Sequence, residues 1–319
     1  MISRNIYEQE GANKRNTLFI MGLFVLFVGF LGCGFDVFYF GFGRGGLDIP
    51  IATVIALMIG SWSAVSGLES GASRVLASCD AQPVDEHDPK YQTYRDVAEE
   101  MAIAAGLPVP KLYVIPDPDP NAFATGKDPQ HASIAVTEGL LEKLNREELQ
   151  GVIGHEMSHV RNYDIRMMTL VAALIGAVLL LSEAGLRSGR FGFGGRRRSS
   201  SRGGAGVIFL VLWILALILA PIIARLLAMT VSRQREYLAD ASGAELTRNP
   251  KALVSALVKI DQSVDPTRSI KKGTACLCIA DPLGSNVNNK EGFFAELFGT
   301  HPPISKRILL LQAMSYEHA

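Results

Sequence analysis

Two histidines and a glutamate in one short stretch are the residues of this sequence best suited to chemistry. Residues Gly154 to Val160 read GHEMSHV, in which His155 and His159 are four positions apart and Glu156 directly follows the first histidine. On an α-helix, side chains four positions apart share a face. Two imidazoles could then bind one zinc ion, each with its donor nitrogen about 2.0–2.1 Å away. The spacing therefore predicts a metal site if this stretch is helical.

Glu156 is placed to act beside the metal rather than to bind it. One step along a helix turns a side chain by about 100°, which puts this carboxylate next to the remaining position of the ion. Zinc lowers the pKa of a bound water to about 7, so a neighbouring carboxylate could accept its proton at neutral pH. The chemistry predicted is hydrolysis with Glu156 as general base. The alternative is two histidines on an ordinary helix surface.

The sequence around the motif predicts an amphipathic helix. Asn145, followed three residues later by Glu148, has the pattern of a capping box at a helix start. Apolar residues then recur on one face at helical spacing: Leu149, Val152, Ile153, Met157 and Val160. The motif is therefore expected in the middle of a helix.

A third metal ligand has to come from elsewhere, because a catalytic zinc usually has three protein ligands and one open position. The later stretch SRQREYLADASGAEL places Glu236 four residues before Asp240, on one helix face. Glu236 could bind the metal, and Asp240 could accept a hydrogen bond from a ligating imidazole. Spacing alone leaves open that Glu236 is exposed and paired with Arg233, and that Asp240 caps a helix.

The residues before the motif predict a small α+β unit. A helix is expected in YQTYRDVAEEMAIAAGL, ending at Gly106 before a proline. Strands are expected in KLYVIP, around Ala122–Ala124 and in ASIAV, with another helix after Thr137. The four cysteines show neither disulfide nor zinc-finger spacing, and Cys276 and Cys278 are predicted as core residues of a strand.

Long apolar segments indicate a membrane protein. Hydrophobic residues make up 48% of the 319, and the 31 basic side chains balance the 31 acidic ones, which gives no reason to expect nucleic-acid binding. A membrane span needs about 17–25 residues, so the third of the four segments is short and could tilt or lie at the interface. The segments are Thr17–Gly34, Ile49–Gly67, Met167–Ser182 and Val207–Ala224.

Flanking basic residues predict the orientation of the first two segments. Lys14 and Arg15 precede the first, Arg74 follows the second, and Arg44 is the single basic residue between them. By the positive-inside rule, both ends of this hairpin and the segment from Ser73 onwards are cytoplasmic. The loop 183–206 carries six arginines and would lie outside if the third segment crossed. Either the rule is broken there, or segments three and four do not cross in a simple way.

Five stretches resemble the HtpX-type membrane zinc metallopeptidases, which are relatives of the CAAX prenyl endopeptidases. They are NAFATG (121–126), IAVTEGLL (134–141), ELQGVIGHEMSHVRNYD (148–164), SRQREYLADASGAELT (232–247) and THPPISKRILLL (300–311), in the order of that family. The resemblance covers nearly the whole chain and implies a mainly helical, gluzincin-like α+β fold. It implies one zinc ion per chain held by His155, His159 and Glu236, with Glu156 as general base and acid. It also implies that Asp240 contacts a metal-binding side chain and not the ion itself.

The resemblance also implies where a substrate would lie. Residues Asn121, Ala122, Phe123 and Ala124 would form a strand at the edge of the cleft. An extended substrate could be held there through main-chain hydrogen bonds. His301 is a candidate for stabilising the oxyanion, with Arg307 close behind, although His301 could equally fix a turn before Pro302.

Four parts of the chain are expected. Residues 1–72 form a tail and a transmembrane hairpin, and residues 73–166 form the first part of the protease domain. Residues 167–225 contain two further apolar segments and the arginine-rich loop. Residues 226–319 form the second part of the protease domain, which contains the third ligand. The expected protein is a multi-pass protein of the bacterial inner membrane, with its active site in the cytoplasm. It would cleave misfolded or damaged membrane proteins, and its partners would be protein or peptide substrates and the lipid bilayer.

Two other functions are alternatives for a membrane protein with this motif. An intramembrane protease would place the motif within an apolar span, but polar residues from Arg161 to Arg166 follow the motif directly. A non-proteolytic membrane scaffold could use zinc only to hold elements together, and would need a fourth cysteine or histidine ligand.

Overall fold

The computed structural model describes residues 6–37, 49–175, 233–263, 269–270, 277–280 and 302–317. Its helices are α1 (Ile6–Phe35), α2 (Ile51–Ser78), α3 (Gln92–Ala105), α4 (Glu138–Lys143), α5 (Arg146–Arg161), α6 (described over residues 164–175), α7 (Arg233–Thr247), α8 (Pro250–Asp261) and α9 (Ile304–Glu317). Its strands are β1 (Gln82–Pro83), β2 (Lys111–Ile115), β3 (Ala122–Thr125) and β4 (Ser133–Thr137). The sequence predictions for residues 176–232, Cys276 and His301 lie outside this part of the chain.

The strands form one mixed sheet in the order β1-β2-β4-β3. β2 and β4 are parallel, whereas β1–β2 and β3–β4 are antiparallel. The Asn121 carbonyl faces β4, because it accepts a hydrogen bond from the Thr137 N–H at 2.9 Å. Main-chain groups alternate in direction along a strand, so those of Ala122 and Ala124 point away from β4. The strand that sequence reasoning placed at the edge of the cleft is therefore the last strand of the described sheet.

Local signals set the ends of the helices around the site. The Asn145 side chain accepts a hydrogen bond from the Glu148 N–H at 2.9 Å, and the Glu148 carboxylate accepts one from the Asn145 N–H at 2.8 Å. This confirms the predicted capping box at the start of α5. α3 ends at Gly106, whose φ of +68° is a left-handed conformation that glycine adopts easily.

The strand predicted at Cys276–Cys278 is wrong for the residues described, because Leu277–Ala280 forms a turn and bends. Its backbone groups are bound by different partners rather than by one neighbouring strand. The Ile279 N–H donates to the Ala122 carbonyl at 2.9 Å, and the Ile279 carbonyl accepts from Arg307 Nη1 at 2.6 Å. All four side chains from Leu277 to Ala280 are buried, so this apolar stretch reflects burial and not strand pairing.

The sheet separates two apolar cores, because alternate side chains of a strand point to opposite faces. Ala122 and Ala124 face the core that contains Val152, Ile153 and Met157 of α5. Phe123 faces the other core, which is built by residues of α1, α2 and α6. The apolar helices therefore pack directly against the back of the sheet that borders the metal motif.

Helices α1 and α2 match the first two apolar segments, and each is long and apolar enough to cross a membrane. Phe19 and Trp62 show the exposed apolar surface expected for contact with lipid, at 72% and 69% exposure. Asp36 at the end of α1 accepts hydrogen bonds from the N–H groups of Ala52 and Thr53, at 2.8 and 2.7 Å. These bonds cap the start of α2 and join the two helices into a hairpin.

Candidate metal centre

Helix α5 is buried on both faces around the motif. His155 and Glu156 are each 1% exposed and His159 is 2% exposed. Helices α3, α7 and α8 and strand β3 pack around this segment. The sequence predicted an amphipathic helix, and the alternative of two surface histidines is wrong. Polar side chains are rarely buried without partners, so the groups around these three side chains indicate their role.

Helix α7 reaches the motif because two glycines allow a close approach. A Cβ atom on Gly243 would lie only 2.8 Å from the backbone nitrogen of His155, and one on Gly154 would lie 3.1 Å from the Thr247 methyl group. Larger side chains at these positions would force the helices apart. The crossing brings Glu236, near the start of α7, to the same place as the two histidines.

His155, His159 and Glu236 converge on one point. Glu236 Oε2 lies 3.8 Å from His155 Nε2, and Glu236 Oε1 lies 3.6 Å from His159 Nε2. One donor atom from each residue lies within 4.8 Å of the others, and all three residues are buried. Two donors about 2.0–2.1 Å from one tetrahedral ion are roughly 3.4 Å apart. The three donor groups therefore fit a single zinc ion with little adjustment.

The His155 ring is held from behind by a carboxylate and an arginine. Its Nδ1 lies 3.0 Å from Asp240 Oδ1, and Arg307 pairs with Asp240 through two hydrogen bonds of 2.8 and 2.7 Å. Burial alone would raise the pKa of Asp240, but the charge and hydrogen bonds of Arg307 outweigh it and lower the pKa to about 2. Asp240 is therefore ionised and able to orient the His155 ring.

Arg307 is fully buried and points its guanidinium at Asp240 and at the Ile279 carbonyl. Its Nη1 atom also lies 3.9 Å from Glu236 Oε2. The guanidinium therefore joins α7 and the segment Leu277–Ala280 through its bonds to Asp240 and Ile279, and its charge lies close to Glu236. The resemblance implied a role for Arg307 beside His301, which lies outside the described residues.

A second carboxylate and a second arginine lie behind His159, and sequence reasoning missed both. His159 Nδ1 lies 3.4 Å from Asp164 Oδ2, and Arg235 Nε lies 3.5 Å from Asp164 Oδ1. Asp164 comes five residues after His159, at the first residue of α6, and Arg235 precedes Glu236. The available signal was that both residues lie close in sequence to proposed metal ligands, but the contact becomes visible only in the folded structure.

The surroundings of His159 favour a positive charge. Burial alone would lower its pKa, but the hydrogen bond to Asp164 and the charges of Glu236, Asp164 and Glu156 raise the pKa to about 9. A metal cation at this place would replace that proton, because a ligating imidazole binds in its neutral form. The electrostatics of the donor set therefore also fit a metal ion.

Glu156 is a buried carboxylate beside the three donors. Neither of its oxygens reaches a hydrogen-bonding side chain among the described residues. Burial raises the pKa of Glu156, while the charges of His155 and His159 and the backbone amide of Ala124 act in the opposite direction. An unpaired buried carboxylate is costly, which is typical of a group kept available for chemistry.

Strand β3 borders this centre and contains Ala122, Phe123 and Ala124, and Asn121 lies just before it. The backbone amide of Ala124 faces Glu156. The Ala122 carbonyl accepts from Ile279, and Asn121 Nδ2 donates to the Ala280 carbonyl at 3.2 Å. The part of the outer edge nearest Glu156 is therefore at Ala124, and Leu277–Ala280 covers the edge at Ala122.

Comparison with known proteins places these observations in a family. Residues 90–315 match peptidase family M48. A protein named Protease HtpX homolog from Caldanaerobacter subterraneus subsp. tengcongensis is 43% identical over 315 residues, covering 99% of this chain and 100% of the relative. A protein of the same name from Ligilactobacillus salivarius is 41% identical over 310 residues, covering 97% and 100%. The crystal structure of S. mikatae Ste24p has a TM-score of 0.49 at 17% identity, covering 96% of this chain and 66% of that one.

Proposed function

Since this chain belongs to peptidase family M48 and is therefore a metallopeptidase, we propose that it is a membrane-bound zinc endopeptidase that uses Glu156 as general base. His155, His159 and Glu236 would hold one zinc ion per chain. The observation that carries the proposal is the convergence of three buried donor groups within 4.8 Å, with the buried carboxylate of Glu156 beside them.

The proton transfers are assigned to Glu156. When bound, zinc supplies Lewis-acid chemistry that polarises a peptide carbonyl and makes water more acidic. Glu156 would accept the proton of the attacking water at its carboxylate and return it to the leaving amine. Burial raises the pKa of Glu156, which makes the carboxylate a better base once it is ionised. His301 is proposed to stabilise the oxyanion on the resemblance alone.

An extended substrate is proposed to lie along the outer edge of β3. The outward main-chain groups at Ala124 suit pairing with a peptide strand, because Leu277–Ala280 covers the edge only at Ala122. Ala124 is the residue nearest Glu156, so pairing there would bring the scissile bond to the base and the metal. The donors of Arg307 are engaged by Asp240 and Ile279, and we assign this residue to holding the site in place.

In the cell, we propose cleavage of misfolded or damaged membrane proteins by an active site facing the bacterial cytoplasm. The two apolar helices, the basic residues flanking them and the polar turn after the motif support this arrangement. The four-part organisation (1–72, 73–166, 167–225 and 226–319) belongs to the same proposal, as do protein substrates and the bilayer as partners. The scaffold alternative lacks support because the metal group among the described residues contains no cysteine and no third histidine.

Metal removal tests the function directly. The wild-type protein, purified in detergent and loaded with one equivalent of zinc, is expected to cleave casein. Treatment with a chelator is expected to lower the rate at least about 100-fold, and added zinc is expected to restore it. The reason is that both polarisation of the peptide carbonyl and activation of water need the ion. The measurement is the rate of casein cleavage before chelation, after it, and after zinc is restored. A rate that chelation leaves unchanged would show that another site is responsible.

The two carboxylates behind the histidines give matched variants with different expected costs. Asp164→Asn and Asp240→Asn are each expected to weaken zinc binding about 10–100-fold, because both remove an oriented negative charge behind a ligand. Asp240→Asn is also expected to lower the free energy of unfolding by about 3–5 kcal/mol, because it leaves the buried charge of Arg307 without its partner. Arg235 is partly exposed, so Asp164→Asn should cost much less stability.

Zinc affinity by competition with a coloured chelator and stability by thermal unfolding separate these effects. Asp96→Asn, at an exposed carboxylate on α3, is the control and should change neither quantity. Wild-type zinc affinity in both variants would show that neither Asp164 nor Asp240 contributes to zinc binding. Equal losses of stability would contradict the role given to Arg307.

A further inference from the structure

Thr169 is the single polar residue of the apolar stretch from residues 167 to 175. It is 2% exposed and lies on α6. A threonine in a helix commonly bonds to a carbonyl of its own preceding turn. Here the hydroxyl lies 2.8 Å from Thr125 Oγ1 and accepts a hydrogen bond from the Gly126 N–H at 3.0 Å. The side chain therefore links α6 to the end of β3.

The chain leaves β3 at this point through a turn that has little freedom. Gly126 has a φ of +149°, and a Cβ atom there would lie 2.6 Å from the His131 carbonyl oxygen. Thr125 is fully buried. The residue before it, Ala124, is the one whose backbone amide faces Glu156. The Thr169 hydroxyl is thus bound one residue away from the part of β3 that borders the catalytic carboxylate.

The same helix also contacts a metal ligand. α6 begins with Asp164, which lies 3.4 Å from His159 Nδ1. Thr169 lies five positions after Asp164 on the helix, a rise of about 7.5 Å. One short stretch of helix therefore joins the metal centre to the end of the candidate substrate strand.

Helix α2 packs against α6 and limits its movement. A Cβ atom on Gly71 would lie 3.1 Å from the Thr169 methyl group, and one on Gly67 would lie 3.4 Å from Leu170 Cδ1. The α6 residues Leu170 and Val171 are fully buried in the core shared with α2. Such close packing restricts sliding of the helix, so Thr169 has a defined position relative to the sheet.

We propose that Thr169 is a positioning residue that sets the place of β3 relative to Glu156 and the metal ligands. This inference rests on the proposed function, because it assumes that substrate pairs with the outer edge of β3. Thr169 itself touches neither the donor groups nor that outer edge. Loss of its hydroxyl would leave buried polar groups of Thr125 and Gly126 with fewer partners. Small displacements of a bound substrate can cost a large part of the rate.

Valine and serine at position 169 test the proposal, because valine keeps the shape and serine keeps the hydroxyl. Thr169→Val is expected to lower kcat/KM by about tenfold for a peptide that spans a casein cleavage site of the wild type. Zinc should stay at about one ion per chain, and Thr169→Ser should recover activity to within about threefold of wild type. Thr93→Val is the matched control, since it makes the same change at an exposed position on α3, and it should leave kcat/KM at the wild-type value.

Each other result is decisive. Wild-type kcat/KM in Thr169→Val overturns the proposal, and so does an equal loss in the valine and serine variants. Loss of zinc together with activity overturns it as well, because the residue would then act on the metal or on folding. If Thr169→Val does not fold, Thr125→Val is measured in its place, because it removes the partner hydroxyl. The same loss of kcat/KM with zinc retained is then expected, and wild-type kcat/KM overturns the proposal. A zinc-loaded wild type that cleaves nothing overturns the proposed function and this inference together, whereas cleavage with an unaffected Thr169→Val overturns only the inference.

Discussion

Replacing Glu156 with glutamine is expected to lower the rate of peptide cleavage by about 10³-fold while zinc stays bound. A positioned general base contributes roughly 10²–10⁴-fold to a rate, and glutamine keeps the size of the side chain but cannot accept the proton. The three donor groups come from His155, His159 and Glu236, so the ion should remain. Removing a buried charge should leave stability equal or slightly higher.

The comparison for this variant is Glu147→Gln, an exposed glutamate on the same helix. It should cleave casein at the wild-type rate. Cleavage rate and zinc content, measured on the same samples, distinguish the possible roles of Glu156. Loss of zinc from Glu156→Gln would mean that this residue is a ligand. A rate close to wild type would mean that another group is the base.

Replacing Glu236 with glutamine is expected to weaken zinc binding at least about 100-fold and to remove activity at limiting zinc. Binding energies of about 10–16 kcal/mol for four-ligand zinc sites correspond to roughly 3 kcal/mol for each ligand. The neutral amide would also remove the negative charge that lies 3.6 Å from His159 Nε2 and 3.8 Å from His155 Nε2. Zinc affinity by chelator competition is the measurement.

Glu245→Gln, at an exposed position on the same helix α7, is the control and should bind zinc like the wild type. A Glu236→Gln protein with wild-type zinc affinity would refute the assignment of the third ligand. In that case the metal would be held by the two histidines and by a group outside the described residues.

Local features of the site could be predicted from the sequence because they depend on neighbours along one helix. The spacing of His155 and His159 and the capping box at Asn145 are of this kind. The assignment of Glu236 as the proposed third ligand depended on the resemblance, because spacing alone left its role open. In the structure its position follows from the close crossing of α5 and α7 at Gly154 and Gly243.

Other features could not be predicted because they depend on how distant elements pack. The sequence pattern indicated a half-exposed α5, whereas the fold covers both of its faces. Asp164 and Arg235 meet because the turn at residues 162–163 and the position of α7 bring them together. The Thr169 hydroxyl gave no signal among apolar neighbours, and the alternating pattern at Cys276–Cys278 suggested a strand where Leu277–Ala280 forms a turn and bends.

The most direct test of the central claim is to measure bound zinc and the casein cleavage rate in the same preparations of wild type, Glu156→Gln and Glu236→Gln. The proposed centre predicts about one zinc ion per chain and cleavage in the wild type. It predicts the same zinc without cleavage in Glu156→Gln, and loss of both at limiting zinc in Glu236→Gln. Zinc bound equally by all three proteins with no difference in cleavage would contradict a metal centre in which Glu236 holds the ion and Glu156 moves the proton.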